Sequence, residues 1–251
     1  MQHKPSWLRS TLLAPLPHGM FSRSGGVSEP PFASLNLSYG VGDSPENVLA
    51  NRQRLKQCLG IEQLVSAVQV HGKRVLAVED IRQDIEYEGA DALVTRQRGV
   101  GLLIQQADCQ AVLLHDPVQG VIGAVHNGWK GSVLNIIAAT VRLMHEGYGC
   151  CPEDIRAVIS PSLGPCCAEF LNWQTELPVS MHQHQVRKNF FDFWEISREQ
   201  LLEAGLRAAQ IETVGCCTVC NQDYFSFRRA TQKQSPTGRG GSVIALLSEQ
   251  P

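Results

Sequence analysis

The sequence predicts an α+β protein built on mixed β-sheets. Short, predominantly apolar runs of strand length recur at residues 99–105 (GVGLLIQ), 111–115 (AVLLH) and 121–125 (VIGAV). Such runs fit strands buried on both faces. Helical periodicity is confined to a few segments, and the two kinds of segment alternate too irregularly for a doubly wound parallel sheet.

Each element follows from local signals. A helix is predicted over residues 43–60. Asp43 or Ser44 can cap it, Pro45 suits its first turn, and Glu46 favours the positive end of its dipole. Val48, Arg52, Leu55 and Leu59 recur at helical spacing, and Gly60 can end the helix. Residues 64–70 are strand-like and lead into His71-Gly72, after which residues 75–78 resume extended structure. Ala107-Asp108-Cys109 separates the 99–105 and 111–115 strands, and a turn at 116–120 introduces the 121–125 strand. His126-Asn127-Gly128-Trp129-Lys130-Gly131 comes next. A helix is then expected from near Ser132 to near Gly147, burying Leu134, Ile137, Ala138, Val141 and Met144. A strand at 157–160, a helix at 197–204 that stops at Gly205, and strands at 211–214, 224–228 and 242–247 complete the reading. With no internal repeat and no clear linker, residues 1–251 read as a single domain.

Composition narrows the function. The net charge is −2, without a long basic run, so nucleic-acid and membrane-surface partners have no electrostatic support. The first ten residues lack the apolar core of a signal peptide, and no stretch approaches the roughly 20 apolar residues of a membrane span. Nine cysteines include three adjacent pairs, Cys150–Cys151, Cys166–Cys167 and Cys216–Cys217. Neighbours rarely bond each other, so the expectation is a cytoplasmic, reduced protein with most thiols as small buried hydrophobes.

Three strand ends each deliver a borderline-soft metal ligand: His71, Cys109 and His126. One thiolate and two imidazoles suit zinc, and three protein ligands leave the fourth position for water or substrate. The alternative is a core thiol and two hydrogen-bonded loop histidines. The strand–HNGWKGS–helix unit offers backbone N–H groups and Lys130 to an anion, although it is not a Walker A loop. A plain helix start with a solvated lysine is the competing reading. Arg23 and Asn36 lie in an irregular N-terminal stretch, while Arg228, Arg229 and Arg239 offer guanidiniums near the C-terminus. Cys217-Thr-Val-Cys220 lacks a second pair at matching spacing and reads as structural, and His182-Gln-His184 reads as a solvated loop.

Taken together, the segments FSRSGGVSEPPFASLNLSYGVGDSPENVLANRQRL, QVHG, ADALVT, ADC, AVHNGWKGS, GPCC, FSFRRA and TGR resemble the YfiH-like family. Its members are described as polyphenol oxidase or laccase-domain proteins, peptidoglycan editing factors and purine nucleoside phosphorylases. The segments run in family order from about Phe21 to Leu247. The resemblance implies one domain with a layered α/β/β/α architecture and one zinc per chain on His71, Cys109 and His126, with copper as the alternative metal. It implies phosphorolysis of adenosine, inosine and methylthioadenosine, and deamination of adenosine. Arg23 and Asn36 match family pocket positions, and Arg228 lies in the matching FSFRRA. The chain departs from the family in carrying Asn127, Lys130, Gln110-Ala111 and Cys167-Ala168-Glu169.

The leading expectation is therefore a zinc-dependent purine nucleoside phosphorylase whose partners are a purine nucleoside and phosphate. In it, Lys130 holds the anion and Asp108 orients a metal ligand. The alternative is a cysteine amidase that edits peptidoglycan precursors, with Cys109 as nucleophile and His71 or His126 as base. A copper polyphenol oxidase would need more histidines than the eight present.

Overall fold

The computed structural model describes residues 4–248, and the expectations for the outermost residues at both ends fall outside it. Two six-stranded sheets lie face to face. The first runs in the order Trp7–Leu8, His18–Phe21, Gly240–Ala245, Val100–Gln106, Gln63–Val68, Ile85–Glu88. The second runs Ile211–Thr213, Arg156–Ile159, Gln110–Asp116, Val121–Asn127, Ala92–Thr95, Val75–Ala77. Both are mixed. Gln63–Val68 is parallel to Val100–Gln106, whereas Gly240–Ala245 is antiparallel to it. Gln110–Asp116 is antiparallel to both its neighbours.

The period of two along each strand explains the layering. Ala111 and Leu113 face the other sheet together with Leu102, Ile104, Ile122 and Ala124. The alternate residues Val112 and Leu114 face outward and pack with Ile137, Val141 and Met144 of the helix Ile136–Tyr148 and with Leu201 of the helix Phe193–Glu203. On the far side, Leu103 and Val243 of the first sheet meet Leu55 and Leu59 of the helix Pro45–Leu59. The result is the expected α/β/β/α sandwich. Its central strands are buried along their whole length because helices or a sheet cover each face.

Several sequence expectations need correction. The helix expected from Ser132 is two helices, Trp129–Leu134 and Ile136–Tyr148. Asn135 sits between them in the left-handed region (φ 51°). Its backbone closes the first helix, and its side chain accepts the Ala138 N–H of the second at 3.1 Å. Leu134 therefore points to solvent instead of the core. The helix expected over residues 197–204 starts four residues earlier, at Phe193, because Asp192 caps it. Residues 224–228 do not form a strand. Ser226 caps a short helix, Phe227–Gln232, and accepts the Arg229 N–H. The two His of His182-Gln-His184 are hydrogen-bonded, His182 to the Leu177 carbonyl and the buried His184 to Glu199. Among the described residues no helix is long and apolar enough to cross a membrane.

Candidate metal centre

Strand pairing assembles the centre. Ala111 pairs with His126, which places Cys109, just before that strand, beside the end of the His126 strand. Ala92 pairs with Val125, and the His126 N–H donates to the Asp91 carbonyl at 2.7 Å. His71 arrives from the other sheet, three residues beyond the strand Gln63–Val68. The ligand atoms of His71, Cys109 and His126 lie within 4.8 Å of one another. Cys109 Sγ is 3.8 Å from His71 Nε2, and the two imidazoles meet edge to face with centroids 4.8 Å apart.

A residue absent from the sequence-based set organises this trio. The buried Asp91 accepts the backbone N–H of His71 (2.9 Å) and Gly72 (2.8 Å), and its Oδ1 lies 2.9 Å from His126 Nδ1. It holds His71 in the left-handed region at φ 58°, an uncommon conformation for a non-glycine residue. The bond to Nδ1 leaves Nε2 of His126 as the candidate ligand atom. Burial raises the Asp91 carboxyl, but the His126 and backbone N–H bonds outweigh it and keep it below the usual carboxylate range. Asp91 stands in the quoted ADALVT segment. The signal was an acidic residue flanked by alanines just before a buried strand.

The electrostatics favour the thiolate form of Cys109. Burial alone would raise its thiol, yet His126 and His71 bring it down to about 6. Burial likewise depresses His126, while Cys109 and Asp91 carry it up to about 9. The common cause is a thiolate and an imidazolium stabilising each other away from water. Gly128 keeps the space open, since a Cβ there would lie 3.0 Å from Cys109 Sγ and 3.1 Å from His71 Cδ2. One thiolate and two imidazole nitrogens, convergent and carboxylate-supported, fit a single borderline-soft metal ion.

The trio opens into a cavity of about 810 Å³. Phe170, Phe193, Phe227 and Leu163 give it apolar walls, Gln69 and Gln105 add amides, and Arg228 and Arg239 add guanidiniums. Arg228 lies over the Phe170 ring at 5.9 Å and donates to the Glu169 carbonyl at 3.0 Å. Burial lowers the Arg239 guanidinium, and the nearby Cys109 and Asp108 charges work against that.

Other expected residues lie elsewhere. Lys130 is exposed, lies over the Trp129 ring at 5.5 Å and does not line the cavity. It follows the short helix outward, so the turn that was to bind an anion presents its lysine to solvent. Arg23 stacks on Phe225 at 4.8 Å, donates to the Ala33 carbonyl and is also outside the cavity. Asn36 is fully buried behind the cavity wall, where its Oδ1 accepts the Arg239 N–H at 2.9 Å. Asp108 orients no metal ligand. At φ 81° it accepts Thr218 Oγ1 (2.7 Å), Ser226 Oγ (3.0 Å) and the Arg228 N–H (2.7 Å), tying down the start of the helix that carries Arg228.

A family described as multi-copper polyphenol oxidoreductase laccase matches residues 17–247. A protein of Bacteroides thetaiotaomicron named purine nucleoside phosphorylase is 34% identical over 232 residues, covering 84% of this chain and 86% of its own length. The crystal structure of YlmD from Geobacillus stearothermophilus superposes with a TM-score of 0.87 at 31% identity, covering 99% of this chain and 98% of that one. That of the Bacillus licheniformis hypothetical protein YfiH gives 0.82 at 33% identity, covering 91% and 92%. With the motifs, the sandwich and the matched length in agreement, the chain is a member of the multi-copper polyphenol oxidoreductase laccase family, the YfiH-like proteins.

Proposed function

We propose that the chain is a zinc-dependent purine nucleoside phosphorylase acting on inosine, adenosine and methylthioadenosine, with deamination of adenosine as a second activity. The observation that carries the proposal is that one cavity joins the His71–Cys109–His126 trio to two guanidiniums and an aromatic wall. The relatives named purine nucleoside phosphorylase, at about a third identity over most of both chains, support the same reading. Residues 1–251 are proposed to work as one catalytic domain in a reducing, cytoplasmic setting, where nine free thiols are expected.

Phosphorolysis breaks the C–N bond between sugar and base. Positive charge develops on the sugar, and the bond's electron pair leaves with the purine. A phosphate oxygen forms the new bond to the sugar carbon. Arg228 and Arg239 suit that phosphate, because a guanidinium offers paired donors to oxyanions. Phe170 and Phe227 line the same cavity and suit stacking on a purine. Asp91 fixes the tautomer of His126, and His126 and His71 keep Cys109 ionised. When bound, zinc would supply Lewis acidity for the negative charge that develops on the departing group.

The test is base release. With inosine and phosphate the protein is expected to yield hypoxanthine and ribose 1-phosphate. Release should cease without phosphate, after chelation, and in His71→Ala. Absence of release from inosine, adenosine and methylthioadenosine alike sinks the proposal.

One observation favours a second reading. Asp91, His126 and Cys109 stand in the order carboxylate, imidazole, thiolate, which suits a cysteine amidase acting on peptidoglycan precursors. That enzyme would cleave an amide without phosphate and remain active after chelation. A multicopper oxidase finds less support. Among the described residues only His71 and His126 belong to a ligand group that includes histidine.

A further inference from the structure

Four cysteines outside the cavity converge although their spacing in the sequence does not announce it. Cys166 and Cys167 lie in the turn at residues 165–167, and Cys217 and Cys220 follow the strand Ile211–Thr213. Their four sulfurs lie within 4.8 Å of one another. Cys220 Sγ is 3.7 Å from Cys166 Sγ and 3.5 Å from Cys167 Sγ. These separations are far too long for disulfides, whose sulfurs stand about 2.05 Å apart. They approach the edge of a tetrahedron of thiolates around zinc, about 3.8 Å for Zn–S bonds of about 2.3 Å.

The backbone holds the two turns in this position. Ser162 and Cys217 form a parallel bridge, Ser162 N–H donates to the Cys216 carbonyl at 3.1 Å, and Thr218 N–H donates to the Ser162 carbonyl at 3.0 Å. The Gly164 N–H points at Cys217 Sγ at 3.4 Å. A Cβ on Gly164 would come within 3.0 Å of Cys217 Cβ, so the close approach requires glycine. Four soft donors, preset by backbone bonds and reachable from solvent through Cys166 and Cys220, match a closed structural site.

We propose that Cys166, Cys167, Cys217 and Cys220 bind one zinc ion as a tetrathiolate, a second metal site separate from the His71–Cys109–His126 centre. None of the four lines the cavity. Their effect on the centre runs through Asp108. Its carbonyl accepts the Leu163 N–H at 2.8 Å, and its carboxylate accepts Thr218 Oγ1 at 2.7 Å. The ion thus staples together the two loops that hold the residue preceding Cys109.

Metal analysis tests the site independently of any activity. Chain expressed with added zinc and purified with a reductant but no chelator is expected to carry two zinc ions. Cys217→Ser/Cys220→Ser and Cys109→Ala should each carry one, and the combined variant none. The cadmium NMR spectrum of the Cd2+-substituted wild type should show two resonances, one of them in the low-field tetrathiolate range. That measurement needs no variant, so it decides the matter even if the double serine variant fails to fold. The proposal is overturned if wild type carries a single ion that vanishes in Cys109→Ala. It is equally overturned if no tetrathiolate cadmium resonance appears, or if mass spectrometry of the reductant-purified protein finds Cys220 disulfide-bonded to Cys166 or Cys167.

Discussion

Asp91 Oδ1 lies 2.9 Å from His126 Nδ1, and the same carboxylate accepts the backbone N–H of His71, so one buried acid positions two of the three candidate ligands. Asp91→Asn keeps the shape but loses the charge and one acceptor oxygen. Loss of such a supporting partner typically weakens metal affinity by about 10- to 100-fold. Competition with a chromophoric chelator should show a drop of that order in Asp91→Asn with the fold retained. Unchanged affinity would remove Asp91 from the centre.

Arg228 and Lys130 make opposite predictions about the anion. Arg228 lines the cavity and Lys130 does not. Arg228→Ala should raise the phosphate KM by at least tenfold, corresponding to about 1.4 kcal/mol of lost binding, with a smaller change for the nucleoside. Lys130→Ala should leave both within twofold. The reverse pattern in steady-state kinetics would return the anion to the helix turn.

Gly128→Ala tests the crowding at the centre. The added methyl would press on Cys109 Sγ and on His71, at 3.0 and 3.1 Å. The expected result is reduced metal content with a melting temperature close to wild type, because the backbone φ at this position is ordinary (−76°) and the clash is with the ligands. Full metal occupancy in this variant would show that the ligand set can shift aside.

His115 should give the folded state an acid weakness. It is buried, its Nδ1 has no hydrogen-bond partner, and burial and the Arg156 charge push its pKa down to about 4. The unfolded chain, near 6.5, therefore binds the extra proton first. Stability contributed by neutral His115 is complete above pH 6.5 and is lost as pH falls from there toward 4, with a limiting slope of about 1.4 kcal/mol per pH unit. Denaturant titrations of His115→Leu should show a shallower decline across that window. An identical pH profile for variant and wild type would mean that His115 does not titrate on unfolding.

The sequence by itself determined the elements with strong local signals. Ser44, Pro45 and Gly60 bracket a helix because caps and fixed φ values act within a few residues. The runs at 100–106, 110–116 and 121–127 have apolar centres and are buried throughout because they are covered on both faces. His71, Cys109 and His126 stood out because each is a metal-type side chain at or near the end of a strand-like segment. Tertiary structure alone decided the rest. Asn135 splits a helix whose apolar period continues across the break. Asp91 joined the centre only through the pairing of Ala92 with Val125, and Lys130 left it because a short helix turns its side chain outward. Cys166–Cys167 met Cys217–Cys220 through a bridge between Ser162 and Cys217 that spans more than fifty residues. Local propensity acts over a turn of chain, whereas sheet register and loop docking bring together side chains whose separation in sequence carries no trace of their contact.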